Sequence, residues 1–395
     1  MNKLSENSCP VCASQHLEVF FEMLNVPVHC NHLWSEQQAA RHCVRGDIKL
    51  AFCSNCGFVT NVALDPDLLE YSPDYENSTY FSPRFQAHAQ SLATQLQKRY
   101  HLYNKDIIEI GCGKGDFLLL LCGLGNNRGV GFDPSYVVQA SHSQVKEQVK
   151  FIQDFYSEQY KDYQGDLICC LHTLEHIQNP KDLLNPLRRA IGERLSTAVF
   201  FEVPNALYTF QNLAIWEIFY EHCSYFTPVS LAHTFSSCGF RVGEIVEGFD
   251  GQFLSLEGMP AKDVNSSTDK QLDEVNQLVS DIASFTANYN SKISSWKSEL
   301  ERIEDKRQRA VVWGGGSKGA TFLNVLNVQD QISYVVDINP RKQGMYIPGT
   351  GQKIVSPKFL QEYQPDIVLV MNSNYKSEIQ QIARNYSLNA EVVSV

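Results

Sequence analysis

Between residues 106 and 202 short apolar runs recur, separated by stretches whose apolar residues return every three or four positions. The runs predict strands at 106–110, 128–132, 149–152, 166–171 and 197–202. The stretches between them predict helices, and an amphipathic helix over Phe85 to Tyr100 precedes the first strand. Strand and helix in alternation point to a parallel α/β sheet. Later, Leu272, Val275, Val279, Ile282, Phe285, Tyr289, Ile293, Trp296, Leu300 and Ile303 mark one face of a long helix over 271–303. That stripe reads as packing. From Arg309 a second strand, glycine loop and helix begin, with further strands near 332–336 and 366–371. Residues 1–65 show little helical period, and Pro66 to Pro83 is an aromatic, Asp- and Pro-rich connecting segment.

Candidate chemistry sharpens this outline at the end of the first predicted strand. Residues 107–116 read Ile-Ile-Glu-Ile-Gly-Cys-Gly-Lys-Gly-Asp. Gly111, Gly113 and Gly115 carry no Cβ, so the backbone there turns tightly and admits a ligand. Glu109 precedes them. Asp133 ends the next strand 20 residues beyond Gly113, where an acid accepts hydrogen bonds from ribose hydroxyls. The loop resembles the methyl-donor loop of class I S-adenosylmethionine (SAM) methyltransferases. The resemblance implies adenine contacts near Asp154. It extends to His172-Thr-Leu-Glu175-His176, which resembles the motif after the fourth strand of that superfamily. His172 and His176 then shape the donor pocket. A nicotinamide-binding fold is the rival, but its G-x-G-x-x-G spacing fails at Asp116.

Twelve cysteines occur, and the first residues lack the apolar core of a signal peptide. A disulfide framework is therefore not expected, and the cytoplasm is the default location. Cys9-Pro-Val-Cys12 and Cys53-Ser-Asn-Cys56 are two C-x-x-C knuckles, each fit to present two thiolates to a tetrahedral zinc ion. Four thiolates leave no open position, so the zinc is expected to be structural. A 40-residue spacer separates the knuckles and must hold an inserted hairpin or loop. His29, Cys30, His32, His42 and Cys43 lie in it as substitute ligands.

A formal net charge of −11 argues against a nucleic-acid surface spread over the chain. No apolar run approaches the roughly 18 residues that span a bilayer. The expected partner is a small molecule, with neither nucleic acid nor membrane involved.

Two further runs narrow the acceptor. One is Phe219-Tyr-Glu221-His222-Cys-Ser-Tyr225-Phe226-Thr227, downstream of Asn205; the other is Lys342-Gln-Gly-Met-Tyr-Ile-Pro-Gly-Thr350. With the four-cysteine module, they make the whole chain resemble the sugar C-methyltransferases of deoxysugar biosynthesis, enzymes of natural-product pathways. The resemblance implies an α/β class I methyltransferase domain with an N-terminal zinc module and a smaller C-terminal Rossmann-like domain. The expected divisions are 1–65, 66–262 with a lid-like linker at its start, a connecting helix over 263–308, and 309–395.

The implied activity is methyl transfer from SAM to a carbon beside the ketone of a nucleotide-linked 4-keto deoxysugar, through an enolate. His222 takes the base position, a role suited to a side chain that titrates near neutrality. Glu221 and Tyr220 stand beside it as catalytic candidates. Asn205, Tyr225, Tyr80 and Lys318 are expected to contact substrate. Many members read Tyr-His-Glu-His where this chain has Phe219-Tyr220-Glu221-His222, so a hydroxyl is missing at 219. Tyr71, Tyr75 and Tyr80 of the linker are open substitutes. The alternative is O-methylation of a hydroxyl or acid on another metabolite.

Gly314-Gly-Gly316-Ser-Lys318-Gly319 does meet the dinucleotide spacing, with Asp337 18 residues beyond Gly319. It leaves open a nicotinamide-dependent oxidoreductase. The resemblance implies instead a degenerate Rossmann-like loop, with Lys318 and backbone N–H groups meeting a diphosphate.

Overall fold

The computed structural model describes residues 8–138, 148–262, 268–328 and 331–395. Three sheets organise them. The central sheet has seven strands. Its parallel part runs Leu167–Leu171, Asp106–Ile110, Arg128–Phe132, Val149–Ile152, with Ala198–Pro204 on the other side of Leu167–Leu171. Phe253–Pro260 and Phe240–Gly248 then extend it antiparallel. All five predicted strands are present within two residues of their expected ends. Strand order reverses at Asp106–Ile110, and α/β sheets place their ligand crevice at the carboxyl ends around such a point. Glu109 and His172 lie at the ends of the two adjacent strands.

The preceding helix, Pro83–Arg99, starts as its sequence dictates. Ser82 accepts the N–H of Phe85, and Pro83 fills the first position, where no donor is lost. Its buried face carries Phe85, Ala89, Leu92, Ala93 and Leu96.

The N-terminal spacer is a long antiparallel hairpin, Leu17–Pro27 against Arg45–Cys53, continued by Val59–Asn61. The fourth strand of this sheet is Ser224–Tyr225, from far along the chain. The pairing fixes the Phe219–Thr227 run. Asn61 N and Thr60 Oγ1 both donate to the carbonyl of Cys223, at 2.9 and 3.0 Å. On the other side Cys223 N donates to the carbonyl of Glu175 at 2.9 Å. His222 is thus held between the N-terminal sheet and the turn that follows Leu167–Leu171.

The C-terminal sheet has five parallel strands, in the order Lys353–Val355, Ile332–Val336, Ala310–Trp313, Ile367–Val370, Glu391–Ser394. The long helix Thr268–Asp305 packs into a hydrophobic cluster shared with the N-terminal hairpin and the C-terminal sheet. Val275, Leu278, Ile282 and Phe285 are buried, and Phe285 meets Phe21 and Phe210 at ring distances of 5.4 Å. Val279 departs from the predicted stripe. It is 46% exposed, and Leu278 takes the buried position. The side chain of Leu272 lies outside the described residues.

Candidate functional site

A single cavity of about 540 Å³ opens at the switch point of the central sheet and is walled on its far side by the C-terminal domain's glycine loop. That volume suits a metabolite-sized ligand. Glu109, Gly111, Gly113, Asp133, Asp154 and His172 line one side. Phe219 and His222 form part of the floor, Gly314 and Lys318 the opposite wall. Tyr71, Tyr75 and Tyr80 all reach the lining from the linker.

The donor loop is shaped by specific contacts. A Cβ on Gly111 would lie 1.9 Å from Thr173 Oγ1, so only glycine fits. Gly113, at φ +54°, has nothing within 4 Å of its virtual Cβ and faces open space. Gly115 caps the helix Asp116–Gly125 at φ +87° and abuts the Phe151 ring, outside the cavity lining. Asp133 holds the loop, accepting from Gly113 N at 2.8 Å with one oxygen and from Ser135 with the other. The second loop repeats the device: Asp337 accepts from Gly315 N at 2.8 Å. Glu109 is buried, and burial raises its carboxyl well above the ordinary range. Asp154 sits at the open edge, accepting from Phe155 N and Tyr160.

Sequence reasoning passed over Lys114. It is buried, and its ammonium donates to the carbonyls of Ser135 and Tyr75 at 3.2 and 3.4 Å, tying the donor loop to the linker. A lone lysine between loop glycines was the available signal. Glu175 was quoted only as part of a motif, yet it lines the cavity with its Oε2 unpartnered.

His222 lies 4.0 Å from Glu175 Oε1 through Nε2 and meets the rings of Phe219 and His176 at 3.9 and 4.9 Å. Burial, then the neighbouring His176, His172 and Lys318, hold His222 well below its ordinary pKa, so it is neutral near pH 7. Burial also lowers His176, to about 4. Tyr71 Oη is 2.9 Å from His176 Nδ1. Glu175 is pushed up to about 7 by burial. Lys318 pairs with Glu217 at 2.7 Å, both on the cavity wall.

Four residues expected at the acceptor site lie off the cavity lining. Tyr220 is fully buried, its hydroxyl accepting from Asp65 N at 2.8 Å and donating to Asp65 O at 3.3 Å. It is a core residue, because its side chain points opposite to that of its neighbour. Asn205 caps the helix Ala206–Gln211 and donates to the carbonyl of Gly251 at 2.9 Å. Tyr225 is turned into the core by its place in the N-terminal sheet. Glu221 is completely buried behind the lining, where Oε2 accepts from Cys30 N at 3.1 Å; burial raises it to about 7.

The four knuckle cysteines converge. Cys9 and Cys56 sulfurs are 3.6 Å apart, Cys12 and Cys53 3.5 Å. A tetrahedron with Zn–S bonds of about 2.3 Å has edges of about 3.8 Å, so these spacings fit a zinc ion.

Two family models match the chain, a methyltransferase domain over residues 80–245 and a C-methyltransferase C-terminal domain over residues 258–392. The chain is 23% identical to C-methyltransferase NovU of Streptomyces niveus, over 94% of this chain and 91% of that protein. Among solved structures, magnesium protoporphyrin IX methyltransferase from Synechocystis is similar at 14% identity, covering 45% of this chain and 84% of that one with a TM-score of 0.35. A SAM-dependent methyltransferase from Aquifex aeolicus is similar at 15% identity, over 43% and 89%, with a TM-score of 0.33. The strand order, the glycine loop with Asp133, and the two domain matches agree: this chain is a SAM-dependent methyltransferase of the class I fold, carrying the C-terminal domain of C-methyltransferases.

Proposed function

We propose that the enzyme methylates a carbon beside the ketone of a nucleotide-linked 4-keto deoxysugar, with His222 as the base. The reading is carried by one observation: a largely enclosed, neutral imidazole faces a cavity shared by the donor loop and the second glycine loop. A neutral histidine accepts a proton; one already charged does not. The match to a C-methyltransferase C-terminal domain, and the likeness to NovU, support carbon as the acceptor atom.

SAM supplies an electrophilic methyl group and leaves as S-adenosylhomocysteine. Gly111, Gly113 and Asp133 are the residues that would hold it, with His172 beneath. His222 removes the α-proton, and the electron pair passes onto the ketone oxygen as an enolate. Phe219 offers no hydroxyl to that oxygen. Tyr71 lines the same cavity and takes over the task, its hydroxyl oriented by His176. Lys318 and the loop Gly314–Gly316 receive the diphosphate, which exchanges for Glu217 as the partner of Lys318. Lys114 and the linker over 66–82 cover the donor. Zinc at Cys9, Cys12, Cys53 and Cys56 fixes the N-terminal module over 1–65, whose sheet in turn holds His222. Residues 66–262 carry the donor, 309–395 the nucleotide, and the helix across 263–308 joins them.

The test is exchange of the α-proton. A keto-deoxysugar nucleotide is incubated in deuterated water with the enzyme and no SAM. A carbon acid at this site exchanges its α-proton for deuterium, and His222→Ala stops it. A substrate that is methylated without exchange, on a hydroxyl oxygen, overturns the carbon assignment in favour of O-methylation.

A further inference from the structure

The cavity floor continues into a line of titratable side chains that the methyl transfer itself does not require. From His222 Nε2 it is 4.0 Å to Glu175 Oε1, and from that oxygen 3.8 Å to His172 Nδ1. From His172 Nε2 it is 3.2 Å to Glu202 Oε1, and from Glu202 Oε2 3.5 Å to His88 Nε2. Imidazole and carboxylate alternate at every step. Glu175 and Glu202 are 2% and 1% exposed through their side chains, while His88 is 15% exposed, on the helix Pro83–Arg99 and outside the cavity lining.

Several atoms of this line have no hydrogen bond of good geometry: Glu175 Oε2, His172 Nε2, Glu202 Oε1 and His88 Nε2. Buried polar atoms left so are costly and call for a reason. The backbone adds a second oddity. His172 holds φ at +52°, a left-handed conformation rare for a side-chain-bearing residue, and its N–H donates to the carbonyl of Glu202 at 2.8 Å. The strain keeps one imidazole between two carboxylates.

We propose that Glu175, His172, Glu202 and His88 form a proton outlet that carries the substrate's α-proton from His222 away from the filled cavity. The proposal rests on His222 being the base. In the step, the α C–H bond breaks, its electron pair stays with the carbon as an enolate, and the proton goes to His222. Imidazole has two nitrogens: Nε2 faces Glu175, leaving Nδ1 for the substrate. The proton taken at one nitrogen is matched by one released from the other to Glu175. Glu175 hands a proton to His172 Nδ1 as His172 Nε2 gives its own to Glu202, and His88 receives it. Glu175 and Glu202 end as they began, and His88, 15% exposed, releases the extra proton to solvent; His222 and His172 are left as the opposite tautomers, which proton exchange with water resets once the product has gone.

Electrostatics give the outlet its purpose. A proton left on His222 sits beside Lys318 and, with the donor bound, beside a sulfonium. His176 and Tyr71 on its other side offer no carboxylate. Glu175, raised to about 7 by burial, is matched to accept and release a proton near neutrality. Close pairing with His172 and His88 outweighs burial and holds Glu202 ionised, at about 2; the same pairing raises His172.

The test separates exchange from methyl transfer. Deuterium uptake at the α-carbon is measured with S-adenosylhomocysteine in the donor site, beside single-turnover methyl transfer from SAM. Glu175→Gln is expected to slow exchange by about tenfold or more, because the proton trapped on His222 returns to the same carbon, and to slow exchange several-fold more than single-turnover transfer. His88→Gln, which touches neither ligand, is expected to show the same split in weaker form. Unchanged exchange in both variants overturns the outlet, and so does an equal loss of exchange and transfer in both. Absence of exchange in wild type overturns the His222 reading itself, a result no outlet variant can mimic.

Discussion

At the scale of single residues, the acceptor side of the cavity is built around His222, whose ring meets His176 at 4.9 Å, with the Tyr71 hydroxyl 2.9 Å from His176 Nδ1. His222 and Lys318 line the cavity, whereas Tyr220, Glu221, Asn205 and Tyr225 do not. The difference is physical. Phe219–Thr227 has no regular period from which side-chain directions follow; they are set by pairing with Val59–Asn61, more than 150 residues earlier. Tyr71 illustrates the converse. Its place was undetermined in sequence, and the fold sets its hydroxyl against His176. Tyr71→Phe is expected to lower kcat by roughly 10²-fold, the lower end for loss of a positioned acid–base group, with KM for SAM unchanged. Steady-state kinetics with both substrates check this. His222→Ala is expected to cost the full effect of such a group, roughly 10²–10⁴-fold, and to abolish exchange.

At the scale of elements, the parallel strands were legible because buried strands are continuous apolar runs. The antiparallel pair Phe240–Gly248 and Phe253–Pro260 was not read. The first is mostly solvated and its apolar residues are broken up by Arg241, Glu244 and Glu247, and the second carries Gly258 and Pro260. The donor loop was legible in its glycines, but their separate duties emerge only from their surroundings. Gly111→Ala meets Thr173 and is expected to destabilise the fold by more than the about 1–2 kcal/mol of left-handed strain alone. Gly113→Ala suffers that strain without a clash and is expected to weaken SAM binding most. Chemical unfolding and SAM titration calorimetry separate the two. The knuckles make their own prediction: metal analysis finds one zinc per chain, and Cys12→Ser loses it together with the cooperative unfolding of the N-terminal sheet.

At the scale of the whole molecule, polar contacts join the three sheets around the cavity. Glu76 of the linker accepts from Asn339 and Arg341 at 3.0 Å each. Asn31 donates to Ser317 at 2.8 Å, and Gln252 to Asn372 at 2.8 Å. Glu221 stands at the junction of the N-terminal spacer and the acceptor run, and its buried carboxyl makes stability depend on pH. Its folded value, about 7, lies above the ordinary 4.5. A group raised in this way contributes stability fully below pH about 4.5, and that contribution is lost as pH rises through about 7. Thermal unfolding from pH 5 to 8 is therefore expected to show a decline that Glu221→Gln flattens. Such junctions were invisible in sequence, since each joins residues at least 120 positions apart.

The shared cavity is the central claim: methyl donor on one side, a nucleotide-linked ketone on the other, and a neutral His222 between them. Its most direct test is the position of an isotopically labelled methyl group in the product formed from SAM and a 4-keto deoxysugar nucleotide, read by nuclear magnetic resonance. The label is predicted on a ring carbon adjacent to the ketone, coupled to that carbon. A label on oxygen, or none transferred to any keto-sugar nucleotide while another metabolite accepts it, contradicts the account.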